Sequence, residues 1–342
     1  MKGVQNLNYT KRLGGQTVEF TQKPTILGCG VVVGKKEGEG PLGNDFDTVE
    51  NDPLFGQETW EKAESAMVNK AITSCLSKSG LSAEDVNYIV AGDLLNQCTA
   101  SSFGVRELGV PFLGIYGACS TMAEGLTLAA MLVDGGYAGK VIAAAGSHFC
   151  SAEKQYRFPL EYGGQRPPGA QWTVTGCGAI AVGTGGTVQI THATTGRIED
   201  MGIKDANNMG AAMAPAFVST LKAHLQDTGR TISDYDLILS GDLGSVGHTI
   251  ASELLDKEGY AIGANYKDCG MMIFDSQTQD THSGGSGCGC GASVLCGHIL
   301  PQLESKTLRR VLFIATGALL SPTTTLQGES IPAIAHAIAL TV

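Results

Sequence analysis

The chain has 342 residues, 43% hydrophobic and 16% charged, with 33 acidic against 23 basic side chains and a net charge of −10. That balance excludes a nucleic-acid binder, since phosphate recognition needs a basic stripe and none is visible, and it repels anionic membrane surfaces. The length exceeds a usual single core, so two domains or one double-sized α/β unit are expected.

The 47 glycines show neither collagen period nor low complexity and point to many tight strand-to-helix turns. Scarce charge predicts a large buried interface, read as a homodimer. The ten cysteines are irregularly spaced and the N-terminal MKGVQNLNYTKRLGG has no apolar signal segment. Reduced thiols in a cytosol-like compartment are therefore expected, not a disulfide framework. No run reaches the roughly 18 apolar residues of a membrane span, so any membrane association is expected to be peripheral.

In chain order, residues 25–33 (TILGCGVVV) predict a strand, and 34–56 an acidic loop rich in Gly and Asp. Residues 58–79 predict an amphipathic helix with an apolar stripe of Trp60, Ala63, Met67, Ala71 and Leu76, stopped by Gly80. Residues 88–91 are the next strand. A repeat then emerges. SAEDVNYIVAGDLL (82–95) resembles TISDYDLILSGDLG (231–244), each a polar lead into an apolar strand ending at Gly-Asp-Leu. Residues 117–147 match 285–318 in pattern: a Gly/Cys-rich turn, a helix of small apolar residues, a charged turn and a strand ending in small residues. Two related βαβ-type halves are expected, 1–185 and 186–342. The helix at 120–133 is apolar almost all round and hence buried, which sets Cys119 at a helix N-terminus inside the molecule.

Related halves, a Cys on a strand-to-helix elbow and a buried helix behind it together resemble the thiolase superfamily. The resemblance implies a layered αβαβα core. Within it, GPLG (40–43), AGDLLNQ (91–97), GACST (117–121), SHFCSAEKQYRFPLEYGGQRPP (147–168), TVTGCGA (173–179), MGAAMAP (209–215), GGSGCGC (284–290) and ATGALLSP (315–322) resemble the stage V sporulation protein AD family of spore-forming bacteria. That resemblance implies a non-catalytic relative that binds dipicolinic acid (pyridine-2,6-dicarboxylate), with Ca²⁺ as a candidate companion. It also implies a role in uptake into the developing spore, peripheral to the spore inner membrane, beside membrane proteins of the same operon.

Cys119 carries the chemistry in either of two readings. The positive end of a helix stabilises a thiolate and attracts an anion. As an acyltransferase or ketoacyl synthase, Cys119 attacks an acyl thioester; as a binder, the same place holds a ligand carboxylate. The acyl-transfer constellation of the superfamily departs here. Asp242 follows LILS where the resemblance implies an imidazole, His248 lies further on in a helix, and His282 precedes SGGSGCGC. Without acid-base partners, acyl transfer loses its proton acceptor. This favours a binder, with an acyltransferase and a purely structural partner of a membrane complex as alternatives.

Asp93 and Asp242 occupy equivalent strand ends, where open α/β sheets keep their ligands. Asn96, Gln97, Ser147, His148, Thr175 and Gly176 are further candidate ligand contacts by the same placement. Lys154, Arg157 and Arg166, in the polar connection 151–171, are candidate counterions. The glycines of 283–291 offer backbone N–H groups as a nest, with Ser286 as a donor. No cofactor is expected, because neither GxxxxGK[ST] nor a strand-bound GxGxxG is present. No metal site is expected, because Cys288 and Cys290 lack a second ligand pair.

Overall fold

The same local device opens both repeated segments. Asp85 accepts from the backbone N–H and hydroxyl of Ser82, and Asp234 does the same for Thr231, so each strand is preceded by a capped single turn. The computed structural model describes residues 11–156 and 166–342. Ten strands form its central framework. The first half holds β1 (Thr25–Gly34), β2 (Tyr88–Gly92), β3 (Phe112–Gly114), β4 (Val141–Ser147) and β5 (Gly176–Gly183). The second holds β6 (Val188–Thr194), β7 (Leu237–Ser240), β8 (Tyr266–Asp268), β9 (Arg310–Ala318) and β10 (Ala333–Thr341).

Hydrogen bonding orders them β8-β7-β9-β10-β6-β1-β5-β4-β2-β3. Outward from the centre, the first half reads 1-5-4-2-3, and the second repeats that order as 6-10-9-7-8. Pairing sense repeats too: β4, β2 and β3 are mutually parallel, as are β9, β7 and β8, while β5 and β10 run antiparallel to their neighbours. The halves meet where Thr25 and Ile26 pair with Gln189 and Val188, and Thr17–Glu19 extends the junction by pairing antiparallel with Thr194, Ala193 and His192.

Five layers result. Helix α1 (Trp60–Lys78) covers the outer face of the first sheet, burying Met67, Ala71, Ile72 and Cys75 against β1, β4 and β5. Helix α2 (Thr121–Asp134) lies between the sheets, touching β2, β4 and β5 on one side and β9 and β10 on the other. Being apolar on almost every face, it has no side to give to water. After the short helix α3 (Phe149–Tyr156), the outer layer of the second half is built by α4 (Met209–Thr228) and α5 (Gly244–Lys257). Helix α6 (Cys288–Val294) is the repeat partner of α2 in the middle layer, and it runs on through a π-turn into Leu300–Glu304. The αβαβα layering expected from the sequence is the observed one.

The element boundaries expected for β1, α1, β2 and α2 agree with the structure to within two residues. The stretch 34–56 is more ordered than a loop, because Lys35–Gly38 forms a helical turn and Thr48–Glu50 pairs in parallel with β1. All ten cysteines are free thiols. Among the described residues no helix is long and apolar enough to cross a membrane.

Candidate functional site

Gly117-Ala118-Cys119 turns sharply into α2. Ala118 holds φ at +50°, a left-handed conformation that costs energy in a residue with a Cβ. Local side chains lock it: the Ser120 hydroxyl donates to the Gly117 carbonyl and the Thr121 hydroxyl to the Ala118 carbonyl, both at 2.6 Å. Cys119 is left 7% exposed, its sulfur facing the Ser286 hydroxyl at 3.9 Å.

Asp242 reaches the same point from the other half. One of its oxygens accepts from Thr316 Oγ1 at 2.8 Å; the other accepts from Ser286 Oγ at 2.9 Å and the Gly287 N–H at 3.0 Å. Ser286 links the two groups, since the hydroxyl that donates to Asp242 is the one the Cys119 sulfur faces. Complete burial, only partly offset by these donors, raises Asp242 to about 6. Burial, followed by the negative charge of Asp242, pushes the Cys119 thiol well above its ordinary range. The thiolate expected from the helix N-terminus is therefore corrected: at neutral pH the residue is a protonated thiol, because desolvation and a facing carboxylate outweigh the helix end.

Past the C-terminal ends of β2, β3 and β9, a cavity of about 270 Å³ opens over Cys119. Cys119, Thr173, Ser286 and Gly287 line it together with Leu94, Tyr116, Ala152, Glu153 and Tyr156 and with Ala206, Asn207, Met209, Ala318 and Leu320. Of the residues expected at the site, Cys119 and Ser286 line this space and Asp242 stands directly behind them.

The remaining candidates lie outside the lining, and most hold the surrounding structure. Asp93 is buried and accepts from the Leu95 N–H and from both the N–H and hydroxyl of Ser101, at 2.6–2.9 Å, so it organises the turn after β2. Ser147 Oγ donates to the Val174 carbonyl and accepts from the Gly289 N–H, tying β4 to α6. His148 accepts from the Cys150 N–H on Nδ1, leaving Nε2–H to donate to the Pro53 carbonyl at 2.7 Å, and burial lowers its pKa. Thr175 accepts from the Phe149 N–H and donates its own N–H to Glu37. Gly176 lets Ser293 approach its Cα closely. Asn96 and Gln97 are exposed, Gln97 with φ of +57°.

Neither distal imidazole lines the cavity: His248 stacks on Tyr266 with centroids 4.2 Å apart, and His282 lies 3.5 Å from Asp280. Lys154 pairs with Glu61 at 2.6 Å and Arg166 with Asp280 at 3.8 Å; Arg157 lies outside the described residues. Cys288 and Cys290 are buried, and Cys288 donates to the Ala118 carbonyl. Among the described residues no group of three or more His, Cys, Asp or Glu is placed to hold a metal ion.

Sequence reasoning missed Tyr116, Tyr156, Asn207, Met209 and Thr316. Tyr156 sat within the quoted SHFCSAEKQYRF segment and Thr316 within ATGALLSP, but nothing in their spacing ties either to Cys119.

Known proteins agree with this framework. The synthase III for 3-oxoacyl-[acyl-carrier-protein] from Aquifex aeolicus VF5 superposes with a TM-score of 0.57 at 14% identity, over 93% of this chain and 100% of that one. Cerulenin-bound OleA of Xanthomonas campestris gives 0.60 at 14% identity, over 94% of this chain and 97% of that one. At such identities the likeness shows the thiolase-like fold alone. Sequence speaks more closely. Stage V sporulation protein AD of Bacillus subtilis (strain 168) is 45% identical over 329 residues, 96% of this chain and 97% of that protein. The family model for stage V sporulation protein AD matches residues 14–341, so the chain belongs to the stage V sporulation protein AD family.

Proposed function

We propose that the protein binds dipicolinic acid in the cavity over Cys119 and supports its uptake into the developing spore, without catalysing acyl transfer. One observation carries the reading: a carboxyl, Asp242, faces the thiol where acyl transfer needs an imidazole to take its proton. A thiol kept protonated by burial is a poor nucleophile and a serviceable weak donor. Ser286 and the Tyr116 hydroxyl add polar groups, and the apolar sides suit a ring.

A dicarboxylate entering beside Asp242 meets negative charge. Two remedies are compatible with the site: a proton on Asp242, whose pKa near 6 makes it accessible, or a Ca²⁺ that travels with the ligand. The proposal further places the protein as a homodimer at the periphery of the spore inner membrane, with the other stage V sporulation A-operon proteins as partners.

Isothermal titration of dipicolinate and its monocarboxylate analogue tests binding, with and without Ca²⁺. Absence of dipicolinate binding at millimolar ligand sinks the reading, and an acyl-Cys119 adduct found by mass spectrometry after mixing with acyl-CoA replaces it with acyl transfer. Cys119→Ala is expected to weaken dipicolinate binding about three- to tenfold, the value of one hydrogen bond and its contacts; equal affinity would return Cys119 to a packing role. Asp93→Asn should instead leave dipicolinate affinity within about twofold while lowering unfolding free energy by about 1–3 kcal/mol in urea, since it disturbs three bonds to a buried carboxylate. A large affinity loss with unchanged stability would put Asp93 back at the ligand.

A further inference from the structure

Two tyrosines that belong to different elements line the cavity beside Cys119. Tyr116 stands in the loop between β3 and α2 and is 43% exposed; Tyr156 is the last residue of α3. Their hydroxyls meet at 3.2 Å, and the Tyr156 hydroxyl donates to the Leu94 carbonyl at 2.7 Å. A phenol has one proton, so Tyr156 uses its own on Leu94 and the proton between the two rings comes from Tyr116. Leu94, Tyr116 and Tyr156 all line the cavity. The chain Tyr116→Tyr156→Leu94 therefore fixes two rings in a lining that also includes Met209, Ala318 and Leu320.

Two flat, weakly polar rings held by hydrogen bonds line this cavity together with apolar side chains. A planar ring enters it with few rotors to freeze and with its face available for stacking. A flexible chain loses rotamer freedom at each bond and finds no matching flat face. We infer that Tyr116 and Tyr156 are the specificity-determining residues of the cavity, selecting a planar aromatic acid over a flexible aliphatic one of similar size. The inference rests on the reading that this cavity holds a dicarboxylate and adds the basis on which one is chosen. Tyr156 is the pivot, because its hydroxyl takes part in both bonds.

Titrations of the full-length chain with dipicolinate and with heptanedioate, the open-chain dicarboxylate of equal carbon count, test it. The wild type is expected to prefer dipicolinate by about a hundredfold. Tyr156→Phe, which removes both bonds, should shrink that preference about tenfold, and Tyr116→Phe, which removes one, about threefold. Tyr156→Ala should bring the two ligands within about threefold of each other. A merely structural pair would lower both affinities together and leave their ratio unmoved, which overturns the inference, as does a wild-type ratio near one. The Phe variants decide the matter if the Ala variant does not fold, as judged by a lost thermal transition. If the wild type binds no dipicolinate at all, the functional reading falls first and takes this one with it; if it binds and the ratio ignores both tyrosines, only this one falls.

Discussion

Asp242→Ala is expected to destabilise the protein by about 2–4 kcal/mol, whereas Asp242→Asn should cost about 1 kcal/mol or less. Three donors converge on this carboxyl, from Ser286, Gly287 and Thr316, all of them buried. Alanine leaves each without an acceptor, at about 1–3 kcal/mol apiece. Against that stands the burial of a charge, which a rise from 3.8 to about 6 values at roughly 3 kcal/mol at neutral pH. Lost acceptors outweigh relieved charge in the Ala variant. Asparagine keeps one oxygen for Ser286 and Gly287, and its amide meets a Thr316 hydroxyl that can rotate to accept, so the two effects nearly cancel.

The pH dependence has a definite sign. Asp242 is easier to protonate folded than unfolded, so its contribution favours the folded state below about pH 4 and fades as pH rises through about 6. Relative to Asp242→Asn, the wild type should lose up to about 3 kcal/mol of unfolding free energy between pH 4 and pH 7. Urea unfolding of both proteins across that range measures it, and the other titrating groups cancel in the difference. Parallel curves would show that Asp242 titrates normally. Dipicolinate affinity should follow the same carboxyl, tightening in the wild type as pH falls from 7 to about 5.5 and staying flat in the Asn variant.

Gly317→Ala carries the second large effect. A Cβ on Gly317 would fall inside the contact distance of the Gly117 carbonyl oxygen and lie 3.3 Å from the Cys119 nitrogen and 3.1 Å from that of Ser120. All three are backbone atoms of the elbow, which cannot step aside as a flexible side chain would. Nor can β9 retreat, because Gly317 is in register with Ile334 of β10. We expect a loss of about 3 kcal/mol, at the upper end for overpacking, and a displaced elbow that abolishes dipicolinate binding. Differential scanning calorimetry and titration read both. A thermal midpoint within about 1 °C of wild type would show that the elbow yields more readily than its hydrogen bonds suggest.

The features legible in the sequence are those written within a few residues of themselves. The polar leads into the two Gly-Asp-Leu strands and the all-apolar helix behind Cys119 are local patterns that form as expected, and the Ser82–Asp85 and Thr231–Asp234 caps within the leads are equally local. What a side chain meets across the fold is not local. Asp93 and Asp242 read alike, yet Asp93 meets Ser101, eight residues away, while Asp242 meets Thr316, 74 residues away. The thiolate expectation failed for the same reason: the helix end is visible beside Cys119, but the carboxyl opposing it arrives from the other half. Tyr116 and Tyr156, 40 residues apart, share no period that would pair them.

The junction between the halves has a kinetic consequence. Beside the ladders that β6 makes with β1 and with Thr17–Glu19, the halves are held together through the middle layer, where α2 packs on both sheets. The Cys119–Ser286 contact closes a loop of 167 residues and the Cys288–Ala118 bond one of 170. Such long closures carry a high entropy cost, so the cavity is expected to be among the last parts of the molecule to form. A ligand held there engages the finished fold and no earlier species, so its presence shifts the population toward complete molecules by mass action.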